Sequence, residues 1–431
     1  MPNSNNTPPV MRGGAEVKFE PLQNKAAIAF FKRKVPGLTQ AWDDWIAPMH
    51  SHSFTIAGGM SIDFLTDMQS AISKALETGT GYQEFLADFD RIVAKYGWSY
   101  KGSRGWRSRV IFNTNMRTAH MAARWDMFQK NQDIAPYLEY QARNDNRTRP
   151  EHRAWDGTIL PIDDAFWSSH YPPNGWNCRC DVVAHSAMSL KRKGKAVTPA
   201  PEIKRSDRIV NGKTYYNVPE GLDVGWDNNV GQAWLAPEVA LGKKLASLPP
   251  QIAGAAYQKQ LSPSFLKAID NSFAKYYDET QAAIKAQAAT RKAPNFAPQF
   301  VGYLNHKVQA ALAEKSIEVS NLSLITPHYQ LRHLTGQGRG KEKKPAFVGD
   351  LYRELPSLLH DYRVVLLDTD GSLIYVPKKM AESGRVIKII VKPNYSDKRS
   401  GFIEINQVTT MSLVPEWNLT ELNLPVLDGA W

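Results

Sequence analysis

Residues 142–180 read ARNDNRTRPEHRAWDGTILPIDDAFWSSHYPPNGWNCRC. The stretch holds charged residues, His, Trp, Pro-Pro, Asn-Gly and the two cysteines of the chain, with no long apolar run. Burial of apolar surface therefore does not explain its composition. Cys178 and Cys180 flank a single residue, so a disulfide between them would close a tiny loop, and in a reducing compartment it would not persist. Two readings stay open. In the first, the thiolates bind zinc together with His152 and a fourth ligand from His170 or His185, since sulfur and imidazole suit tetrahedral zinc. In the second, the cysteines are small buried residues, and Arg147, Arg149, Asp163 and Asp164 form hydrogen-bonded ion pairs that hold a loop-rich module together. In either case Pro172-Pro173-Asn174-Gly175 favours a turn, because proline presets φ and Asn-Gly tolerates positive φ. Trp155, Trp167 and Trp176 are the expected apolar anchors.

The order Asp145, Arg147, Thr148, Arg149, His152, Gly157, Asp163-Asp164, Phe166-Trp167, His170, Pro172 to Trp176 and Cys178-Arg179-Cys180 resembles the signature of the Mu F-like minor head proteins of tailed phages. Asn146 departs from the pattern, where a second acidic residue is expected. Upstream, Asn113, Thr114, Asn115, Arg117 and Thr118 resemble the N-T-N-x-R-T pattern of the same family. Downstream, NVPEGLDVGWDNNVG at 217–231 resembles a further family patch, with Val224 and Val230 in place of prolines. The resemblance implies a head morphogenesis protein with portal and other capsid proteins as partners. It also implies a place in the virion, reached from the host cytoplasm during assembly.

Composition is compatible with that reading. A chain of 431 residues is long for one domain and implies two or three. The 53 Lys and Arg against 42 Asp and Glu give a net charge of +11, which suits acidic partners such as RNA or phage DNA but is spread thinly enough for nonspecific contact only. No run of about 18 apolar residues is present, and the start MPNSNNTPPVMRGG lacks a hydrophobic signal core, so neither a membrane span nor secretion is expected.

Periodicity divides the chain into four parts. Residues 1–20 are polar and rich in Pro and Gly and form an expected flexible arm. Residues 21–190 are mostly helical by periodicity and are the stretch that the resemblance implies is the head-morphogenesis domain. Apolar spacings of three and four predict helices over 24–34, 61–77, 81–96 and 105–130, followed by the loop-rich block. Residues 191–295 are an expected linker and helical connector, opening with the basic cluster Lys191-Arg192-Lys193. Residues 296–431 change character. Strand-like runs at 317–325, 362–368, 373–376, 386–392 and 401–408 predict a small α+β domain with an antiparallel sheet of four or five strands. The fold class is thus α+β and multidomain.

This last module resembles the phage-associated Barnase, EndoU, colicin and RelE-like nuclease domains. That resemblance implies metal-independent RNA cleavage, with His328 and His333 as acid and base, Arg332 and Lys392 on phosphate, and Thr409 or Thr410 donating to a nonbridging oxygen. The alternative is that these histidines are structural. The glycine-rich 336–344 segment lacks the order of a phosphate-binding loop and reads as a basic loop or linker. Three functions follow from the sequence: a minor head protein, a phage-delivered ribonuclease toxin, and a DNA-binding assembly factor. Zinc is the one cofactor expected.

Overall fold

The computed structural model describes residues 24–45, 47–246, 248–286, 299–319, 322–326, 349–381, 385–397 and 402–431. The first part is helical for local reasons visible in the sequence. Helix α1 (Lys25–Lys32) starts where the Asn24 side chain accepts from the Ala27 amide, and α2 (Ile62–Thr78) where Ser61 accepts from Phe64 and Gly79 ends the helix in the left-handed region. Helices α3 (Tyr82–Tyr96) and α4 (Arg104–Lys130) follow, the latter capped by Ser103. Their apolar stripes, including Phe30, Phe64, Met68, Phe89, Phe112 and Trp125, bury one core. The four predicted helices thus stand within a residue or two of expectation.

The loop-rich block is more ordered than its composition predicts. Strands β3 (Tyr137–Gln141), β4 (Ile159–Pro161) and β5 (Asp181–His185) form an antiparallel sheet in the order β4-β3-β5, while β1 (Val35–Pro36) and β2 (Ser53–Phe54) make a minimal parallel pair. Leu138, Tyr140, Leu160 and Val182 of the three-stranded sheet join the core of the four helices. Short helices α5 (Pro150–Ala154) and α6 (Phe166–His170) bridge the strands, and α7 (Ala187–Arg192) follows them. Next comes a hairpin of β6 (Arg205–Val210) and β7 (Lys213–Pro219), whose two-residue turn Asn211-Gly212 has positive φ at both positions.

Helices α8 (Val230–Leu235), α9 (Pro237–Ala246), α10 (Pro250–Gln260) and α11 (Pro263–Ala286) occupy the stretch expected to be a connector. They do more than connect. Leu241, Leu245, Ala253, Tyr257, Phe265 and Phe273 share a core with the C-terminal sheet. That sheet has seven strands, not four or five: β8 (Gln299–Tyr303), β9 (Ser323–Thr326), β10 (Tyr362–Leu367), β11 (Leu373–Pro377), β12 (Val386–Asp397), β13 (Phe402–Val414) and β14 (Val426–Gly429). Their order is β14-β10-β11-β12-β13-β9-β8, antiparallel at every pairing except the parallel β13 and β9. Helix α12 (His306–Glu314) separates β8 from β9. Alternate residues face the two sides: Val365, Leu373, Tyr375 and Ile389 point into the large core, and Val364, Leu366, Ile374 and Val376 into a smaller cluster closed by Leu419.

A buried His and two cysteines at an arginine-lined cavity

The predicted site begins with β3 and β5, whose pairing brings Gln141 opposite Asp181 and so places residues 142–145 beside the Cys178-Arg179-Cys180 turn. Arg179 leaves that turn outward, donating twice to the Asp145 carboxylate at 2.6 and 2.5 Å. The Arg179 guanidinium, with further donors from the Arg147 amide and Thr148, holds the Asp145 carboxyl well below the usual carboxylate range. Helix α4 anchors the other side: Arg117 donates to the Cys180 carbonyl, and Arg124, seven residues further on, donates to the Val182 carbonyl and lies 3.3 Å from Asp181. The spacing puts both guanidinium groups on one helix face. With Arg179 held outside, the two sulfurs turn inward and are buried.

His152, on α5, meets them there. Its Nδ1 lies 3.5 Å from Cys180 Sγ and 3.8 Å from Cys178 Sγ, and its Nε2 is 3.0 Å from the Gly221 carbonyl. A carbonyl only accepts, so Nε2 carries the proton. The ring stacks on Trp155 at 22°. Gly221 is itself held at φ +80°, and a Cβ there would run into Trp155 and Glu151. The Cys178 thiol is pushed well below its ordinary range by the hydrogen bond from Cys180 and then by His152, while Cys180 is pushed up by its neighbour and by burial.

The patch at 217–231 packs onto this block. Asp223 accepts from Arg149 at 2.7 Å and from the Trp176 amide at 2.8 Å, Trp176 meets Trp226 edge to face at 5.1 Å, and Asn229 donates to the Trp167 carbonyl at 3.1 Å. Asn174, fully buried, donates to Tyr140 Oη and the His170 carbonyl at 2.9 and 3.1 Å. Of the ion pairs expected, Arg149 takes Asp223, while Asp164 caps the Phe166 amide at 2.9 Å and is not part of an ion pair among the described residues. The Arg147 guanidinium stands 3.9 Å from Asp145, whereas its backbone amide donates to that carboxylate at 3.0 Å.

His170 and His185 are committed elsewhere. His170 stacks on Phe166 and bonds Ser169 at 2.9 Å, with burial holding it at about 4; His185 bonds Glu139 at 2.7 Å and Ser189 at 3.3 Å. Among the described residues the group of potential metal donors is His152, Cys178 and Cys180, whose ligand atoms all lie within 4.8 Å of one another. The three border a cavity of about 790 Å³, which Arg109, Arg117, Arg143, Arg147, Arg149 and Arg179 also line. A second cavity of about 590 Å³ is ringed by Trp42, Trp45, Trp176 and Trp226 and reaches the buried Lys34, which burial lowers to about 7.

The C-terminal candidates are separate from this site. His328, Arg332 and His333 lie outside the described residues. Lys392 and Thr410 are exposed on the paired strands β12 and β13, Lys392 standing 3.9 Å from Asp370, whereas the Thr409 hydroxyl is spent on the Ile390 carbonyl at 3.3 Å.

The groups not anticipated from the sequence are the Arg124 guanidinium, which donates, and the Gly221 carbonyl, which accepts. A helical repeat of arginine could have pointed to the first; nothing local points to a backbone oxygen.

Residues 66–183 match the family model described as Phage Mu protein F like protein. The chain is 27% identical to the putative capsid assembly protein F of Escherichia phage Mu, over 95% of this chain and 96% of that one. It is 26% identical to the Mu-like prophage FluMu F protein of Haemophilus influenzae, over 82% and 89% of the two chains. No solved structure matches.

Proposed function

The chain carries a phage Mu protein F-like domain at residues 66–183, and from that premise we propose that it is a minor head protein acting in capsid assembly. One observation carries the reading. Similarity to a relative named as a capsid assembly protein runs through 95% of the chain, so the C-terminal sheet, about a third of the length, lies within what the two share. The C-terminal module is then an integral part of the assembly protein. No helix among the described residues is long and apolar enough to cross a membrane. The similarity to a putative capsid assembly protein supports other capsid proteins as the partners. We place the protein at the portal-side interior of the prohead, assembled from the host cytoplasm and retained in the virion.

Ribonuclease activity forms no part of this proposal. It rests on sequence resemblance, and its principal histidines fall outside the described residues. The decisive experiment is mass spectrometry of gradient-purified proheads and virions, alongside a deletion of the gene. The expected result is the chain in both particles and defective heads without it. Its absence from both particles, with normal heads in the deletion, would overturn the reading.

A further inference from the structure

We infer that His152, Cys178 and Cys180 bind a zinc ion whose fourth position faces the arginine-lined cavity. The distances fit first. With Zn–S near 2.3 Å and Zn–N near 2.0–2.1 Å, a tetrahedral centre sets its nitrogen and sulfur ligands about 3.6 Å apart. The Nδ1 to Sγ separations are 3.5 and 3.8 Å. The protonation state fits as well. The Gly221 carbonyl fixes the proton on Nε2 at 3.0 Å, leaving the Nδ1 lone pair aimed between the two sulfurs. Metal-binding histidines are commonly oriented by such a backbone acceptor on the far nitrogen. One lone pair serves two thiols poorly as an acceptor, but one cation serves all three donors.

The surroundings hold the donors in place by bonds that do not involve the donors' own atoms. Arg179 is drawn outward to Asp145, the Cys178 amide bonds the Gly175 carbonyl at 3.2 Å, and Arg117 takes the Cys180 carbonyl. A C-x-C segment presents two sulfurs to one ion only when its backbone turns tightly, and these bonds hold that turn. Among the described residues no fourth His, Cys, Asp or Glu joins the group. The three donors border the cavity with Arg143, Arg149 and Arg179, so the remaining position is filled from the cavity, by water in simple buffer. The ion would tie α5 to the strand-leading turn of β5 and, through Gly221, to the 217–231 patch. This inference is independent of the proposed role in head assembly.

The test uses the full chain, purified from zinc-replete cells without chelator. Elemental analysis should find about one zinc per chain. The Cys178→Ser/Cys180→Ser double variant and His152→Ala should each lose at least about tenfold, whereas His170→Ala should keep its metal. Because the first two variants could misfold, wild-type protein with cobalt in place of zinc supplies the second readout. Intense visible bands of tetrahedral cobalt and a thiolate charge-transfer band in the near ultraviolet are expected, the visible bands shifting on addition of azide. A metal-free protein that develops no such bands with cobalt overturns the proposal. So does full zinc retention in the double cysteine variant, and zinc loss in His170→Ala overturns the ligand set. Cobalt bands that azide leaves unmoved would overturn the open fourth position.

Discussion

The block at 137–185 and the C-terminal sheet are both built on β-strands, yet they are held by different forces. The first has strands of five, three and five residues, and its order depends on hydrogen bonds from Asn174, Arg149, Arg179 and His152 to particular atoms. The second has strands of up to 13 residues with apolar side chains buried on both faces. Burial is non-directional and tolerates exchange of similar shapes, whereas a buried polar network fails when one donor is removed. The two regions should therefore respond oppositely to conservative change, and to acid.

Acid is the strongest way to separate them. His50, His52 and His170 are held at about 4 by burial, against an ordinary value of 6.5. Between those values the unfolded chain binds protons that the folded one does not, so stability falls as pH drops through 6.5 toward 4. Three such groups give a slope of up to about 4 kcal/mol per pH unit. On the C-terminal side, burial raises Asp270 to about 6 and Glu238 to about 7. At these two groups the folded state binds the extra protons, which adds stability as pH falls from about 7 toward 4 and is offset in part by His360, which burial lowers. Hydrogen exchange across pH 7 to 4.5 should show the helices and block at 25–185 opening first while the sheet keeps its protection. Simultaneous loss in both halves would break the contrast.

Within the sheet, Ile389→Ala should cost roughly 2–5 kcal/mol and Ile389→Val about 1 kcal/mol, because Ile389 is fully buried and the smaller change leaves a smaller cavity. Denaturant midpoints at constant slope check both. In the block, Asn174→Leu should cost about 1–3 kcal/mol, although it preserves volume and adds apolar surface. It strands Tyr140 Oη and the His170 carbonyl without their donor. A neutral outcome would mean that the block is held by packing after all. At the small end, Lys392→Ala should move stability by no more than about 0.5 kcal/mol, since the side chain is exposed and its carboxylate neighbour stands 3.9 Å away.

The helices were legible because caps and apolar spacing are local: Asn24, Ser61 and Ser103 mark their starts within a few residues of the apolar stripe that follows. The Asn211-Gly212 turn carries an equally local signal, but it falls in the stretch expected to be linker and connector, and the hairpin was not anticipated. The strands of the block were hidden because each is short and flanked by charge, so no alternation rises above its surroundings. At the candidate site, His152, Cys178 and Cys180 were legible from their chemistry, but the competing claim of His170 could not be dismissed until its ring was seen stacked on Phe166.

The sequence by itself determined the helical starts, the α+β class, the likeness of the 142–180 block to a phage head family, and which side chains have the chemistry to bind a metal. Only the tertiary structure decided that β13 pairs in parallel with β9, that α9 to α11 complete the sheet's core, and that the Gly221 carbonyl, 69 residues from His152, sets its tautomer. Capping and periodicity act over one or two turns of chain. Strand partners and backbone acceptors are chosen among distant segments by the burial and hydrogen bonding of the whole fold.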